Sequence, residues 1–402
     1  MSSKARAAVA AVDVGVADGV DRSSSVRAFA YNPALDGIRA FAVVAVMLFH
    51  GGVLTGGYLG VDAFFVLSGF LITSLILHEI CNEGQLNRSR FWARRARRLL
   101  PALFLMLFAV CAYAVLFAQQ SELDRIRGDA LATVFYVANW HAIFSGHGYW
   151  ELFQTPSPLE HMWSLAIEEQ FYVIWPLVVV AIAAIAATIT RRRNQHTNPA
   201  PLVFAIALIA GISSTIWCSV LFRADDVSRA YLGTDTRAGS ILFGSAFAAW
   251  TVWKGPFRSH TSRIALEILA IAATIGVAIA WIHLNGQDLL LYRGGLLLSG
   301  LGILTIIAAV AHPTKGPLHK ILAWKPFVAI GLISYGLYLW HWPLYVLLNE
   351  QRTGLNGTPL LTLRIATSFA VALTSYYLIE KPIRHHPLPK KLNIIIIPLT
   401  PR

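Results

Sequence analysis

The chain has 402 residues, of which 56% are hydrophobic and 13% charged, and its mean hydropathy is +0.58. This composition has too little polar surface for a soluble domain of that size, so it indicates an integral membrane protein. The net charge is +12, but the basic residues lie between apolar runs, which favours a lipid bilayer over nucleic acid as the partner. The cysteines show neither a disulfide framework nor metal-ligand spacing. They are Cys81, Cys111 and Cys218.

The composition divides the chain into three segments. Residues 1–34 are rich in Ala, Ser, Val, Asp and Arg and lack the apolar core of a signal peptide, which predicts a disordered cytoplasmic tail. Residues 35–380 form the predicted membrane domain, and residues 381–402 a basic cytoplasmic tail. An all-α polytopic protein with ten transmembrane helices is expected, since each apolar run is close to the ~20 residues that span a bilayer. The predicted spans are 35–52, 58–80, 99–118, 160–189, 201–222, 237–253, 264–283, 294–311, 327–348 and 361–380.

An eleventh apolar stretch, 128–145, is ambiguous because it carries Asn139, Trp140 and His141. If it does not cross, 24 Lys and Arg lie in the inner segments and six in the outer ones; if it crosses, the counts become 14 and 16. The positive-inside bias therefore predicts a re-entrant or interfacial element at 128–145 and places both termini in the cytoplasm.

The first span carries three ionisable residues, Asp36, Arg39 and His50. Because an Asp or Arg within a bilayer costs on the order of 2.5–3.5 kcal/mol, such residues are expected to be functional. At ~100° per residue, the three share one stripe of the helix. Arg39 and His50 are separated by a rise of about 16 Å, so they are expected to act at different depths.

A second group of charges lies between the second and third spans, where 88–98 holds six arginines. Such a cluster fits either a topogenic, anionic-lipid patch or a clamp for the phosphates of a nucleotide-bearing donor, because guanidinium groups bind phosphate bidentately. The residues assigned to donor binding are Arg94, Arg95, Arg97 and Arg98.

Other polar positions allow two interpretations each. Glu168 and Glu169 begin the fourth span about 100° apart, so one is expected to face the interior, although headgroup depth is the alternative. We expect His161 to be interfacial rather than catalytic, and Arg237 to be interfacial rather than part of an interior ion pair.

One further pair of polar positions lies in the span 327–348. Tyr338 and His341 are neighbours on a helix that Pro343 is expected to kink. They could form a pocket wall or an aromatic belt.

Six segments together resemble the membrane-bound acyltransferase family 3, the OafA/YrhL-like O-acyltransferases. The resemblance covers nearly the whole apolar region, in order, and includes the Arg-x10-His spacing from Arg39 to His50. The segments are LDGIR at 35–39, GVDAFFVLSGF at 60–70, FWARRARRLLP at 91–101, WSLAIEEQFY at 163–172, SYGLYLWHWP at 334–343 and EKP at 380–382.

The resemblance implies transfer of an acyl group, usually acetyl from acetyl-CoA, onto a hydroxyl of an envelope glycan or of a small secondary metabolite such as a macrolide. It also implies that Arg39 and His50 are the residues most tied to activity, and that the protein lies in the bacterial plasma (inner) membrane. Acyl-CoA would be a co-substrate, with no tightly bound cofactor. Many relatives carry an extra extracytoplasmic esterase-like domain, which is not expected in these 402 residues.

The residue chemistry fits acyl transfer independently of the resemblance. His50 can act as base or as acyl carrier, because its pKa lies near working pH. Arg39 cannot lose its proton and is expected to bind donor phosphate or carbonyl. Glu168 or Glu169, closest to His50 in predicted depth, or Asp62 as second choice, would orient the ring.

Two further possibilities are weaker. Ser68 is an alternative acyl carrier, although a serine beside a glycine in a membrane helix is more often a packing contact. A transporter would also bury charges in ten helices, but it would be expected to show paired, broken helices in corresponding halves, and we find no internal repeat.

Overall fold

The computed structural model describes residues 31–146, 156–191, 198–256 and 259–385. Within these ranges the chain is helical with no β-strand, which confirms the all-α prediction. Nearly all of the predicted N-terminal tail, and most of the C-terminal tail, lie outside the described residues.

The first half of the fold runs from α1 to α7. A short 3₁₀ turn, Gly57–Leu59, precedes α2. The helices are α1 Pro33–His50, α2 Gly60–Glu83, α3 Arg88–Phe117, α4 Gln120–Val134, α5 Ala138–Phe144, α6 Met162–Arg191 and α7 Ala200–Leu221.

The second half runs from α8 to α17. π-helical turns at Leu291–Gly295 and Tyr376–Glu380 precede α11 and α17. The helices are α8 Ser228–Leu232, α9 Thr234–Lys254, α10 His260–His283, α11 Leu296–Val310, α12 Pro317–Leu322, α13 Lys325–Leu332, α14 Ser334–Leu347, α15 Glu350–Thr353, α16 Gly357–Ser375 and α17 Lys381–His385.

Eight helices in the described part of the chain are long and apolar enough to cross a bilayer, which makes this a polytopic membrane protein. The pair α13 and α14 would make a ninth if it forms one span, since its halves meet at 65°. The remaining predicted span, 237–253, corresponds to α9, a 21-residue helix that is not among these eight. Its sequence mixes Thr, Asp, Arg, Ser and Lys with apolar residues, and it packs between α2 and α7. The count of ten and the inside location of the termini therefore stay predictions.

The ambiguous stretch 128–145 contains no long helix. It comprises the end of α4 and the seven-residue α5, separated by a turn in which Tyr136 adopts a positive φ of 54°. Neither helix reaches the 18 residues of the shortest candidate span. This geometry agrees with the prediction of an element that does not cross as a straight helix.

The sharp bend in the predicted span 327–348 is not at Pro343. The α14 helix continues through Pro343 to Leu347, and the 65° bend lies at Ile333, between α13 and α14. The 65° bend is thus ten residues before Pro343, and the expected kink at Pro343 stays a prediction.

The position of α1 is fixed at its first turn. Asn32 caps the helix by accepting a hydrogen bond from the Ala34 amide (3.1 Å), and it donates to the Val310 carbonyl (2.8 Å). Nε2 of His319 lies 3.1 Å from Asn32 Oδ1. Burial, with a contribution from Lys315, lowers the pKa of His319, so the ring is neutral near pH 7. These contacts set the depth of every residue on α1.

The central helices α2 and α9 approach backbone to backbone. A Cβ added at Gly69 would lie 1.8 Å from the Ile241 carbonyl oxygen, and one added at Gly244 would lie 2.1 Å from that of Val66. Glycine is therefore required at both positions of this crossing, because even the methyl group of alanine would clash. The close contact brings the polar side chains of α2 against those of α9.

Candidate active site

A partly open cavity of about 90 Å³ lies between α1, α2, α3, α6 and α14. One wall is apolar, and the others carry arginine, glutamate, serine and tyrosine side chains. The lining residues are Arg39, Val61, Phe64, Leu67, Ser68, Leu71, Arg95, Arg98, Leu99, Ser164, Leu165, Glu168, Tyr172, Ser334, Tyr335 and Tyr338.

Three arginines from two helices make part of this cavity cationic: Arg39 of α1 with Arg95 and Arg98 of α3. Asp36 holds Arg39 in place, since its Oδ1 lies 3.4 Å from Nη1 of the guanidinium. The guanidinium carbon of Arg95 lies 4.5 Å from the centre of the Tyr172 ring, which fixes its orientation. The arrangement can bind a polyanion such as a phosphate group.

The arginine cluster of α3 divides between two environments. Arg95 and Arg98 line the cavity, whereas Arg94 and Arg97 do not. Arg94 pairs with Glu79 at 3.6 Å, and Nε of Arg97 donates to a backbone carbonyl one turn earlier on the same helix (3.3 Å). The structure therefore brings only half of the predicted donor-binding arginines to one place.

A hydrogen-bonded group links α2 and α6 beside these arginines. The Tyr172 hydroxyl lies 2.7 Å from Ser68 Oγ and 3.1 Å from Glu168 Oε2. Glu168 lines the cavity and Glu169 does not, as expected for adjacent residues about 100° apart on a helix. Because Ser68 contacts this tyrosine, its hydroxyl has a polar partner in addition to any packing role.

The second part of the site is a cluster of three histidines. Nδ1 of His50 lies 2.9 Å from Nε2 of His341, and the two ring planes meet at an angle of 28° with centroids 5.1 Å apart. Trp342 packs on His50 with ring centroids 4.4 Å apart. His161, 1% exposed, meets the edge of the His341 ring at a centroid distance of 5.4 Å.

Tyr338 lies between the cavity and the histidines. It lines the cavity, its hydroxyl is hydrogen-bonded to Ser164 and donates to the His161 carbonyl (2.9 Å), and its ring centroid is 5.4 Å from that of His341. His50 does not line the cavity, so the path of contacts from the cavity to His50 passes through Tyr338 and His341. Of the two roles left open for Tyr338, pocket wall is the one the structure shows.

The carboxylates predicted to orient His50, Glu168 and Glu169, lie away from the histidine cluster. Glu168 lies with Arg39 at the cavity, and Glu169 lies near Arg95. The expected match in depth between these carboxylates and His50 was wrong, because His161, the residue before α6, meets the histidines and Glu168 lies about two turns further along that helix.

Asp62, the second choice for orienting His50, forms an ion pair with Arg237 instead. Its Oδ2 lies 3.1 Å from Nη2 of Arg237, its Oδ1 accepts from Ser240 (2.9 Å), and both charged side chains are 1% exposed or less. Arg237 also packs over the Tyr231 ring at 5.0 Å. The expectation that Arg237 is interfacial was therefore wrong: it forms an interior ion pair that joins α2 to α9.

Sequence reasoning missed the pairing of His341 with His50 and the burial of His161. One signal was available at Pro343, which has no N–H and therefore leaves the Leu339 carbonyl without its helical donor. The His161 ring lies near Leu339, but neither of its nitrogens has a hydrogen-bond partner among the described residues.

Comparison with known proteins identifies relatives along most of the chain. The sequence model of a family described as an acyltransferase domain matches residues 32–379. The chain is similar to YrhL of Bacillus subtilis (39% identity), to the peptidoglycan O-acetyltransferase OatA of Listeria monocytogenes (40%) and to the O-acetyltransferase OatA of Staphylococcus aureus (36%). Each alignment covers 88% of this chain and 55%, 56% and 57% of the respective relative, so the chain spans about half their length. No solved structure matches.

The buried pair of Asp62 and Arg237 generates a stability prediction. Asp62→Ala leaves a guanidinium buried without its carboxylate, and we expect a loss of about 3–5 kcal/mol in the free energy of unfolding. Thermal unfolding of the purified protein in detergent should show a lower Tm. The double variant Asp62→Ala/Arg237→Met should recover most of that loss, because the uncompensated charge is removed as well. An Asp62→Ala protein with unchanged Tm but no activity would instead place Asp62 in the chemistry.

Proposed function

The chain belongs to the acyltransferase-domain family, and from that premise we propose that it transfers an acetyl group from acetyl-CoA to a hydroxyl of peptidoglycan. One observation carries the proposal. The same cavity is lined by three arginines and by Tyr338, and the ring of Tyr338 contacts His341 of the histidine cluster. The relatives' names favour a glycan acceptor and an enzyme. They give no support to a small secondary metabolite as acceptor or to solute transport.

The arginines suit the nucleotide end of the donor. CoA carries several phosphates, and the guanidinium groups of Arg39, Arg95 and Arg98 converge on one space. The positive-inside bias puts this end of α1 toward the cytoplasm, where acetyl-CoA is found, in the bacterial plasma membrane. The apolar side chains of Val61 and Leu67, which line the same cavity, suit contact with the pantetheine arm.

The histidines suit the reacting end. In our proposal His50 takes the proton of the acceptor hydroxyl as its oxygen attacks the thioester carbonyl. The new C–O bond forms, the C–S bond breaks, and the proton passes from His50 to the thiolate, which leaves as free CoA. Rotation of the Tyr338 side chain would join the cavity to His50, since this tyrosine forms the wall between them.

Removing the imidazole tests the proposal. His50→Ala should lower acceptor-dependent release of CoA from acetyl-CoA by at least about 100-fold, the range that a general base contributes. The measurement is thiol release by the purified protein with soluble peptidoglycan fragments, and Tm reports folding. His283→Ala, at an exposed helix end, is the matched control. Undiminished release by a folded His50→Ala protein would remove His50 from the reaction.

The arginines can be tested separately. Arg95→Ala should raise the KM for acetyl-CoA by about tenfold, equivalent to ~1.4 kcal/mol for one charge-assisted contact, with a smaller change in kcat. Arg88→Ala, on the same helix but exposed and outside the cavity, should change KM less than about twofold. Equal effects of the two substitutions would show that the arginines act only through the lipid surface.

A further inference from the structure

The ring of His341 is fixed by two backbone carbonyls. Its Nδ1 lies 2.6 Å from the carbonyl oxygen of Tyr338 and 3.1 Å from that of Leu337. A carbonyl oxygen only accepts hydrogen bonds, so Nδ1 of His341 must carry the hydrogen. The residue is fully buried, which favours the neutral ring over the imidazolium.

The tautomer of His50 follows from that of His341. A neutral imidazole with a hydrogen on Nδ1 presents a lone pair on Nε2. Nε2 of His341 lies 2.9 Å from Nδ1 of His50, so His50 must donate from Nδ1. The lone pair of His50 is then on its Nε2, the nitrogen that does not point at His341.

We propose that His341 is a positioning residue: it fixes the tautomer and ring orientation of His50 so that Nε2 is the nitrogen that takes the hydroxyl proton. The inference rests on the proposed function. In a Ser-His-Asp triad a carboxylate accepts the hydrogen bond from Nδ1–H of the catalytic histidine; here Nε2 of the neutral His341 accepts it. When His50 takes the proton at Nε2, its Nδ1–H continues to donate to His341, which supports the imidazolium until the proton passes to the thiolate.

The surroundings make the pairing rigid. His341 projects from α14 one turn after Tyr338, and Trp342 packs on the His50 ring at 4.4 Å. On its other side His341 meets the ring of His161 at 5.4 Å. His341 is therefore held between the rings of His50 and His161, and its Nε2 cannot turn from His50 without breaking both carbonyl hydrogen bonds.

The direct test reads the tautomer. ¹⁵N NMR of the full chain, labelled at histidine and held in detergent above pH 7, should show His50 with a protonated Nδ1 and an unprotonated Nε2. Its signals are those lost in His50→Gln. In His341→Phe the preference should disappear or reverse, because the acceptor is gone. A neutral His50 protonated at Nε2 in the unsubstituted protein overturns the proposal, and this holds even if His341→Phe fails to fold.

Kinetics separates positioning from mere packing. His341→Phe should lower kcat by on the order of 100-fold while the KM for acetyl-CoA changes less than about threefold. His341→Gln offers an amide oxygen as acceptor and should retain at least ten times the kcat of His341→Phe. His283→Phe, at an exposed helix end, is the matched control. A folded His341→Phe protein with kcat within threefold of the unsubstituted chain overturns the proposal.

The two variants distinguish an error in the proposed function from an error in the positioning role of His341. If His50→Ala itself retains turnover, the proposed function of the histidine site is wrong. If His50→Ala is inactive but His341→Phe is active, only the positioning role is wrong.

Discussion

The high cost of an unpaired charge in an apolar interior governs this structure. Several ionisable groups that the sequence places within the core helices meet a polar partner on the same or another helix. Arg39 is held by Asp36 within α1, Arg237 by Asp62 across α2 and α9, and His50 by His341 across α1 and α14. The same contacts that satisfy these groups also position the helices, so the site and the fold depend on one set of interactions.

The sequence predicts those features that one helix determines alone. Apolar runs of about 20 residues located the long helices, and the spacing of ~100° per residue indicated that only one of Glu168 and Glu169 would face the cavity. The rise of α1 separated Arg39 from His50, and the structure places Arg39 in the cavity and His50 in the histidine cluster. Six short segments sufficed to indicate the family, which the match over residues 32–379 confirms.

Features that depend on the rotation and relative depth of two helices could not be predicted from the sequence. His50 and His341 are 291 residues apart, and no spacing rule connects them. Arg237 resembled an interfacial arginine because it lies near the start of its helix, but the close approach of α9 to α2 buries it. The division of the α3 arginines has the same origin, since it depends on which face of α3 meets α1 and α6.

Two ends of one site are thus held apart, arginines at one and an imidazole at the other, with Tyr338 between them. A cryo-EM reconstruction of the full chain in nanodiscs, with a thioether analogue of acetyl-CoA, tests this arrangement most directly. We predict density for the phosphates beside Arg39, Arg95 and Arg98, with the acyl end at Tyr338 facing His50. Analogue bound at another surface, with the cavity between these residues empty, would contradict it.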